Sequence, residues 1–323
     1  MIGRIRPGGA IFIARRRGSV NDEVVTARSS RNTKSLPFLH VSKARKHGKL
    51  VANLSIERGR SRELANAKIM FNMTVKDIVE GLKQTKTVIL PIGIVEQHGY
   101  HLPVSVDIHN AVQIAERASE ATGCFVAPPV HYNFSGGTLP GTINISPQVF
   151  SLMLMDICQS LVLQGFGNLI ILLGHGGTES CAAARDAAEQ FQRLRPEMKG
   201  VTVCLVPFWE LSPTYMESFD KKDYHAGRYE TSMMLYWKPE LVKMDQAELD
   251  DPALLGTLRD DPDAYGLRVK NVDSRFVIPR IVQNPDMKVG VMGDYAGSTA
   301  EFGKKIADEC TNGLAELIGQ LEG

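Results

Sequence analysis

Nowhere in the 323-residue chain do 18 or more apolar residues run together, so no membrane-spanning helix is expected. Cysteine is sparse: Cys124, Cys158, Cys181, Cys204 and Cys310 are odd in number, scattered and without a CxxC spacing. That pattern excludes a disulfide framework or zinc knuckle and reads as buried thiols in a reducing, cytoplasmic compartment. No GxGxxG follows an apolar run, and "SGGTLPG" lacks the GK[ST] ending of a phosphate loop, so neither nucleotide fingerprint is present. The apolar "GGAIFIA" near the N-terminus is too short for a secretory core with a clear cleavage site. Histidine is also scarce, with eight residues, which makes their placement informative.

What is present is ordinary globular material, 43% hydrophobic and 23% charged, enough for one large α/β domain or two small ones. The net charge of +1 hides an asymmetry. Residues 1–62 carry 15 Lys/Arg against three acids, and the remainder carries 22 against 33. The basic arm has the composition of a transit peptide, or of a tail for nucleic acid or membrane. Its lack of sustained periodicity favours a poorly ordered extension over residues 1–64, or sequence ahead of a start at Met70 or Met73. A single domain over residues 65–323 is the expectation for the rest.

From Phe71 the texture changes. "MTVKDIVEGLKQT" predicts a helix capped by Thr74, with Val75, Ile78, Val79 and Leu82 on one face. "KTVILPIGI", "CFVAPPVHY", "NLIILLG" and "GVTVCLVPFWEL" read as apolar strands. Between and after them, helices are predicted over "IHNAVQIAERASEAT" (stopped by Gly123), "SPQVFSLMLMDICQSLVLQGF" (Ser146 as cap, Pro147 first), "TESCAAARDAAEQFQRLRP", "RYETSMMLYW" and "STAEFGKKIADECTNGLAELIG". Strands that are continuously apolar and alternate with helices predict a parallel sheet covered on both faces, an α/β/α sandwich. In such folds ligands sit beyond the carboxyl ends of the strands.

The scarce histidines gather there. "LPIGIVEQHGYHLPVSVD" supplies Glu96, His98, His101 and Asp107; "GHGG" supplies His175; "DYHAGRYET" supplies His225 and, five residues later, Glu230. Glu96-x-His98 on an extending strand sends both side chains the same way, and Asp107 can return after a loop. Carboxylate and imidazole together suit zinc, manganese or iron. A carboxylate between two such ions can bridge them, and the pair can activate water and polarise a carbonyl. Each residue also has a plainer explanation. A loop histidine is usually a packing or surface residue, Asp107 could cap a helix starting at Ile108, and Glu230 could face solvent. Three such segments in a plausible α/β order weigh against coincidence.

Together with "FSGGTLPGTINIS" and "GVMGDYAGSTAEFG", these segments resemble the creatininase family, in order, from about Met73 to the C-terminus. The resemblance implies a three-layer sandwich with a mostly parallel sheet, two divalent metal ions (Zn²⁺, Mn²⁺ or Fe²⁺) and a homo-oligomer, often a hexamer. It assigns Glu96, His98, Asp107 and His175 as ligands, with Asp107 bridging. It makes Glu230 the candidate fifth ligand, ahead of Glu179, because the creatininase position two residues after the strand-end histidine is Gly177 here. It makes His225 the acid/base, which Asp223 could orient, and Ser135, Gly136 and Trp209 substrate contacts. Arg228 stands where an acid is more common and could read an anionic or polyhydroxy substrate. Leu173 and Thr178 replace asparagines usual around the "GHGG" histidine.

The implied activity is hydrolysis of a small polar substrate at a C–N bond, a cyclic amide or formamide. Carbon–carbon ring opening of a keto-inositol is the alternative. A non-catalytic metal-binding protein, with the arm recruiting nucleic acid, is the reading from another class, and the intact ligand set argues against it.

Overall fold

The computed structural model describes residues 40–46, 49–55, 67–195 and 198–323. The chain divides into two units, Met1–Arg62 and Glu63–Gly323. In the first, strands β1 (His40–Lys46) and β2 (Lys49–Ser55) pair antiparallel. Those strands apart, the arm expected to be poorly ordered lies outside the described residues.

The second unit is built on five strands: β3 (Lys68–Ile69), β4 (Thr87–Ile92), β5 (Phe125–Val126), β6 (Asn168–Leu173) and β7 (Thr202–Pro207). They lie in the order β3-β5-β4-β6-β7, and every neighbouring pair is parallel. Strand periodicity divides the core in two. Val88, Leu90 and Ile92 of β4, with Leu169, Ile171 and Leu173 of β6, pack on helices α3 (Pro147–Leu163) and α4 (Thr178–Leu194). Ile89, Ile170 and Leu172 point the other way, onto α2 (Val106–Thr122) and α8 (Ala300–Glu322). Full burial of each such Leu or Ile stabilises by roughly 1.5–3 kcal/mol, which is why these strands carry no polar alternation.

The sheet places the site. After β4 the chain passes through α2 to β5 on one side, and after β6 it passes through α4 to β7 on the other. The carboxyl ends of β4 and β6 therefore flank a topological switch point, where α/β folds form their ligand crevice.

Several elements differ from the sequence expectation, each for a local reason. Strand "CFVAPPVHY" shrinks to Phe125–Val126, because Pro128 and Pro129 have no amide hydrogen to donate; Val130 rejoins as an isolated bridge to Ile92. The "GVTVCLVPFWEL" strand ends at Pro207 and turns into a short 3-10 helix, Phe208–Leu211. Helix α1 (Val75–Gly81) has its Thr74 cap in a reciprocal box with Asp77, but Val75 and Val79 are exposed. Ser146 stands at the α3 cap position without a side-chain cap bond. Helices α5 (Pro213–Asp220) and α7 (Pro252–Asp260) and the antiparallel pair β8 (Gly266–Val269) and β9 (Arg280–Gln283) were not foreseen. Helix α6 (Arg228–Trp237) follows the HAG segment.

Candidate metal centre

Glu96 and His98 do not extend the strand, since β4 ends at Ile92. They lie on the extended loop beyond it, held where the Glu96 amide donates to the Val104 carbonyl (3.0 Å) and the Val95 amide donates to the His131 carbonyl (3.1 Å). Asp107 sits in the first turn of α2 rather than capping it. That turn reaches the strand ends because residue 174 is glycine: a Cβ there would lie 2.1 Å from the Asp107 carbonyl oxygen. His175 follows directly, at the end of β6. Glu230 comes from the first turn of α6. Its carboxylate accepts from the Ala226 amide at 2.7 Å. Ala226 holds φ +54, a left-handed conformation costing a non-glycine residue about 1 kcal/mol or more, and this aims its N–H at the carboxylate.

The five side chains converge and are buried. His98 Nε2 lies 3.4 Å from Asp107 Oδ1 and 3.6 Å from Glu230 Oε2. His175 Nδ1 lies 3.0 Å from Asp107 Oδ2 and 3.2 Å from Glu96 Oε2. The two oxygens of Asp107 therefore face two different imidazoles. Ligand atoms fall into three groups able to hold an ion: Glu96–Asp107–His175, His98–Asp107–Glu230 and Glu96–His98–His225.

Orientation supports ligation over mutual hydrogen bonding. Glu96 Oε2, Asp107 Oδ2, His98 Nε2 and His175 Nε2 are buried without a hydrogen-bond partner, despite the short approaches of the first three. His98 Nδ1 is 3.1 Å from the Glu96 carbonyl oxygen. A carbonyl only accepts, so Nδ1 carries a hydrogen and Nε2 is the nitrogen directed between Asp107 and Glu230, where a cation would replace its proton, as a metal-binding histidine requires.

The electrostatics follow from burying acids against imidazoles. Burial favours neutral His98, but Asp107 and Glu230 outweigh it and raise the imidazole to about 10. His175 is likewise raised, with Glu96 and Asp107 overcoming burial. Burial would raise Glu96, yet His175 and His225 hold it well below the carboxylate range. In Glu230 burial prevails over His98 and pushes the carboxyl up to about 7. The protons in this pairing are those a divalent cation would displace.

His225 lines the cavity beside these groups, half-buried, its ring 4.2 Å from that of His98. Its Nε2 is 2.8 Å from the Gln97 carbonyl, which makes Nε2 the donor and leaves Nδ1 with the lone pair. Burial, then the neighbouring His98, lowers its pKa to about 4. Asp223 does not orient this ring; it accepts from the Arg228 amide at the start of α6.

The cavity over the centre is about 500 Å³. Ser135, Trp209 and Glu179 line it, but Gly136 and Arg228 do not. The Arg228 guanidinium lies over the Phe302 ring, 4.5 Å from its centroid. His101 is 2.9 Å from Thr231 Oγ1 and packs on Tyr295, outside the three donor groups. Sequence reasoning missed Gln97, although it lies between two candidate ligands, and Tyr265 and Gln283, for which no motif gave a signal.

The family model described as creatinine amidohydrolase matches residues 71–318. The chain belongs to the creatininase family of hydrolases. It is 29% identical over 239 residues to the mycofactocin precursor peptide peptidase of Mycolicibacterium smegmatis, spanning 72% of this chain and 83% of that protein. It is 25% identical over 245 residues to the creatinine amidohydrolase of Pseudomonas putida, spanning 71% and 87% respectively. A solved structure described as "Creatininase Mn" shares the fold, with a TM-score of 0.62 at 21% identity, over 79% of this chain and 98% of that one.

Proposed function

We infer that the protein is a divalent-metal-dependent hydrolase that adds water across the C–N bond of a small polar amide, a cyclic amide or formamide. The observation that carries this reading is Asp107, with one carboxylate oxygen directed to each of two imidazoles. Glu96, Asp107 and His175 would hold one cation, and His98, Asp107 and Glu230 a second, Asp107 being shared. When bound, such ions supply positive charge that polarises a carbonyl and makes water acidic enough to lose a proton near neutrality.

The remaining work falls to side chains. In C–N hydrolysis the oxygen of water joins the carbonyl carbon, the C–N bond breaks, and the leaving nitrogen takes a proton. His225 is the proton carrier: Nε2 is fixed on the Gln97 carbonyl, so Nδ1 is the nitrogen that takes up and returns the proton. Trp209 and Ser135 bound the space in which the amide lies. Among the described residues no lysine or arginine lines the cavity, so positive charge facing a substrate would come from the bound cations. Two of the curated relatives have names that describe cleavage of C–N bonds, one an amidohydrolase and one a peptidase, while a third, a 3-dehydro-scyllo-inosose hydrolase, keeps keto-inositol ring opening as the second reading.

The test is turnover of a panel of cyclic amides, formamides and keto-inositols by protein loaded separately with Mn²⁺, Zn²⁺ and Fe²⁺. Hydrolysis of an amide or formamide, abolished by chelation, is expected. Turnover confined to keto-inositols would replace C–N with C–C cleavage. The assembly belongs to the same proposal: a cytoplasmic homo-oligomer, supported by exposed apolar surface such as Phe276 and Ile278.

A further inference from the structure

Ser135 and Gly137 bring the loop at residues 135–138 to one side of the cavity. This loop has no secondary structure of its own, and its backbone is held from two directions. From nearby, Asn144 Oδ1 accepts from the Ser135 amide (2.8 Å) and the Gly136 amide (3.1 Å), while Asn144 Nδ2 donates to the Gly137 carbonyl (2.8 Å). From far along the chain come two more tethers. The Tyr265 hydroxyl donates to the Ser135 carbonyl at 3.0 Å, and Gln283 Oε1 accepts from the Thr138 amide at 2.9 Å. Gln283 Nε2 also donates to the Tyr265 carbonyl at 3.4 Å, linking the two tethers at the open end of the β8–β9 pair. Residue 136 must be glycine for this contact: its φ is +84, and a Cβ would lie 2.4 Å from the Tyr265 hydroxyl oxygen. That is the role of Gly136, which does not itself line the cavity.

Tyr265 and Gln283 line the cavity too, yet neither belongs to any of the three donor groups. We propose that they are positioning residues: they fix the 135–138 loop as a wall against which substrate is held, and they govern substrate fit rather than the chemical step. The proposal rests on reading the cavity as the substrate site. A loop held by three separate side chains is ordered before substrate arrives, so less of the binding energy is spent on ordering it. Release of a tether therefore weakens binding while leaving the metal ligands and His225 in place.

Two measurements on the full-length, metal-loaded protein test this. The first is amide hydrogen exchange at Thr138. Gln283→Leu should speed it about tenfold, the loss of one hydrogen bond of about 1 kcal/mol or slightly more, whereas Gln283→Glu, which keeps an acceptor oxygen, should leave it slow. Equal exchange in Gln283→Leu and wild type overturns the tether. The second uses whichever amide or formamide of the panel is turned over. Tyr265→Phe and Gln283→Leu should raise KM severalfold at unchanged kcat and unchanged metal content. A fall in kcat at constant KM, or no change in either, overturns the positioning role. If wild type hydrolyses no panel member with any of the three metals, the functional reading fails, and the tether is decided by Thr138 exchange alone.

Discussion

Asp107 is the residue on which both halves of the proposed centre would depend, since its two oxygens face His98 and His175 separately. Its neighbours act on one half each, and substitutions should separate accordingly. Glu230→Gln should lower bound metal because Glu230 faces His98 at 3.6 Å. Glu179→Gln should not, since Glu179 lines the cavity but belongs to none of the three donor groups. Elemental analysis of the two variants side by side distinguishes these fifth-ligand candidates; the opposite order would reverse the assignment. His225→Ala should keep its metal and lose turnover by a factor of at least about 10², as general acid–base residues do. Full activity in that variant would remove His225 from proton transfer.

At the scale of the element, the site depends on how closely the start of α2 approaches the sheet. Gly174→Ala adds a methyl group 2.1 Å from the Asp107 carbonyl, so α2 must shift and carry Asp107 out of register. Loss of metal with retained far-ultraviolet circular dichroism is expected; full metal content would show that the approach is not needed. A second element-level contact is structural. Glu309 of α8 accepts from Ser212 Oγ (2.5 Å), the Thr214 amide (3.0 Å) and Thr214 Oγ1 (2.7 Å) at the start of α5. Burial would raise its carboxyl, but the Ser212 and Thr214 hydrogen bonds outweigh that and lower it. A depressed carboxyl stabilises fully above the unfolded-state pKa, and the benefit disappears as pH falls through the folded-state pKa. Glu309→Ala should therefore cost about 2 kcal/mol in urea unfolding at neutral pH, and its gap from wild type should close in acid. A gap that widens in acid would contradict this.

The same scale shows what was legible in the sequence. β4 and β6 were readable because both their faces are buried, and α2 because Gly123 ends it at φ +76. The candidate ligands were readable because Glu96, His98, Asp107, His175 and Glu230 lie in short segments next to those elements. Tyr265 and Gln283 were not, because they reach the loop across 130 and 145 residues. Their stretch carries neither a 3.6-residue nor a two-residue apolar period over enough length to be read. The Arg228 side chain was not legible in the same way: its position is in the motif, but its packing over Phe302, far along the chain, carried no local signal.

For the molecule as a whole, the donor groups draw on residues from Glu96 to Glu230 in the sequence, all within the second unit. Removal of residues 1–64 should leave metal stoichiometry and turnover unchanged, and full-length protein should give no mobility shift with nucleic acid. A shift lost on truncation would assign the arm a binding role. Light scattering should give a mass several times the 35.5 kDa of one chain. The most direct measurement is metal content per subunit by elemental analysis after loading and desalting, in wild type and Asp107→Ala. Two equivalents in wild type, falling to one or none in the variant, is the expected result. Wild type without bound cation, or the same stoichiometry in both proteins, would contradict a shared two-ion centre.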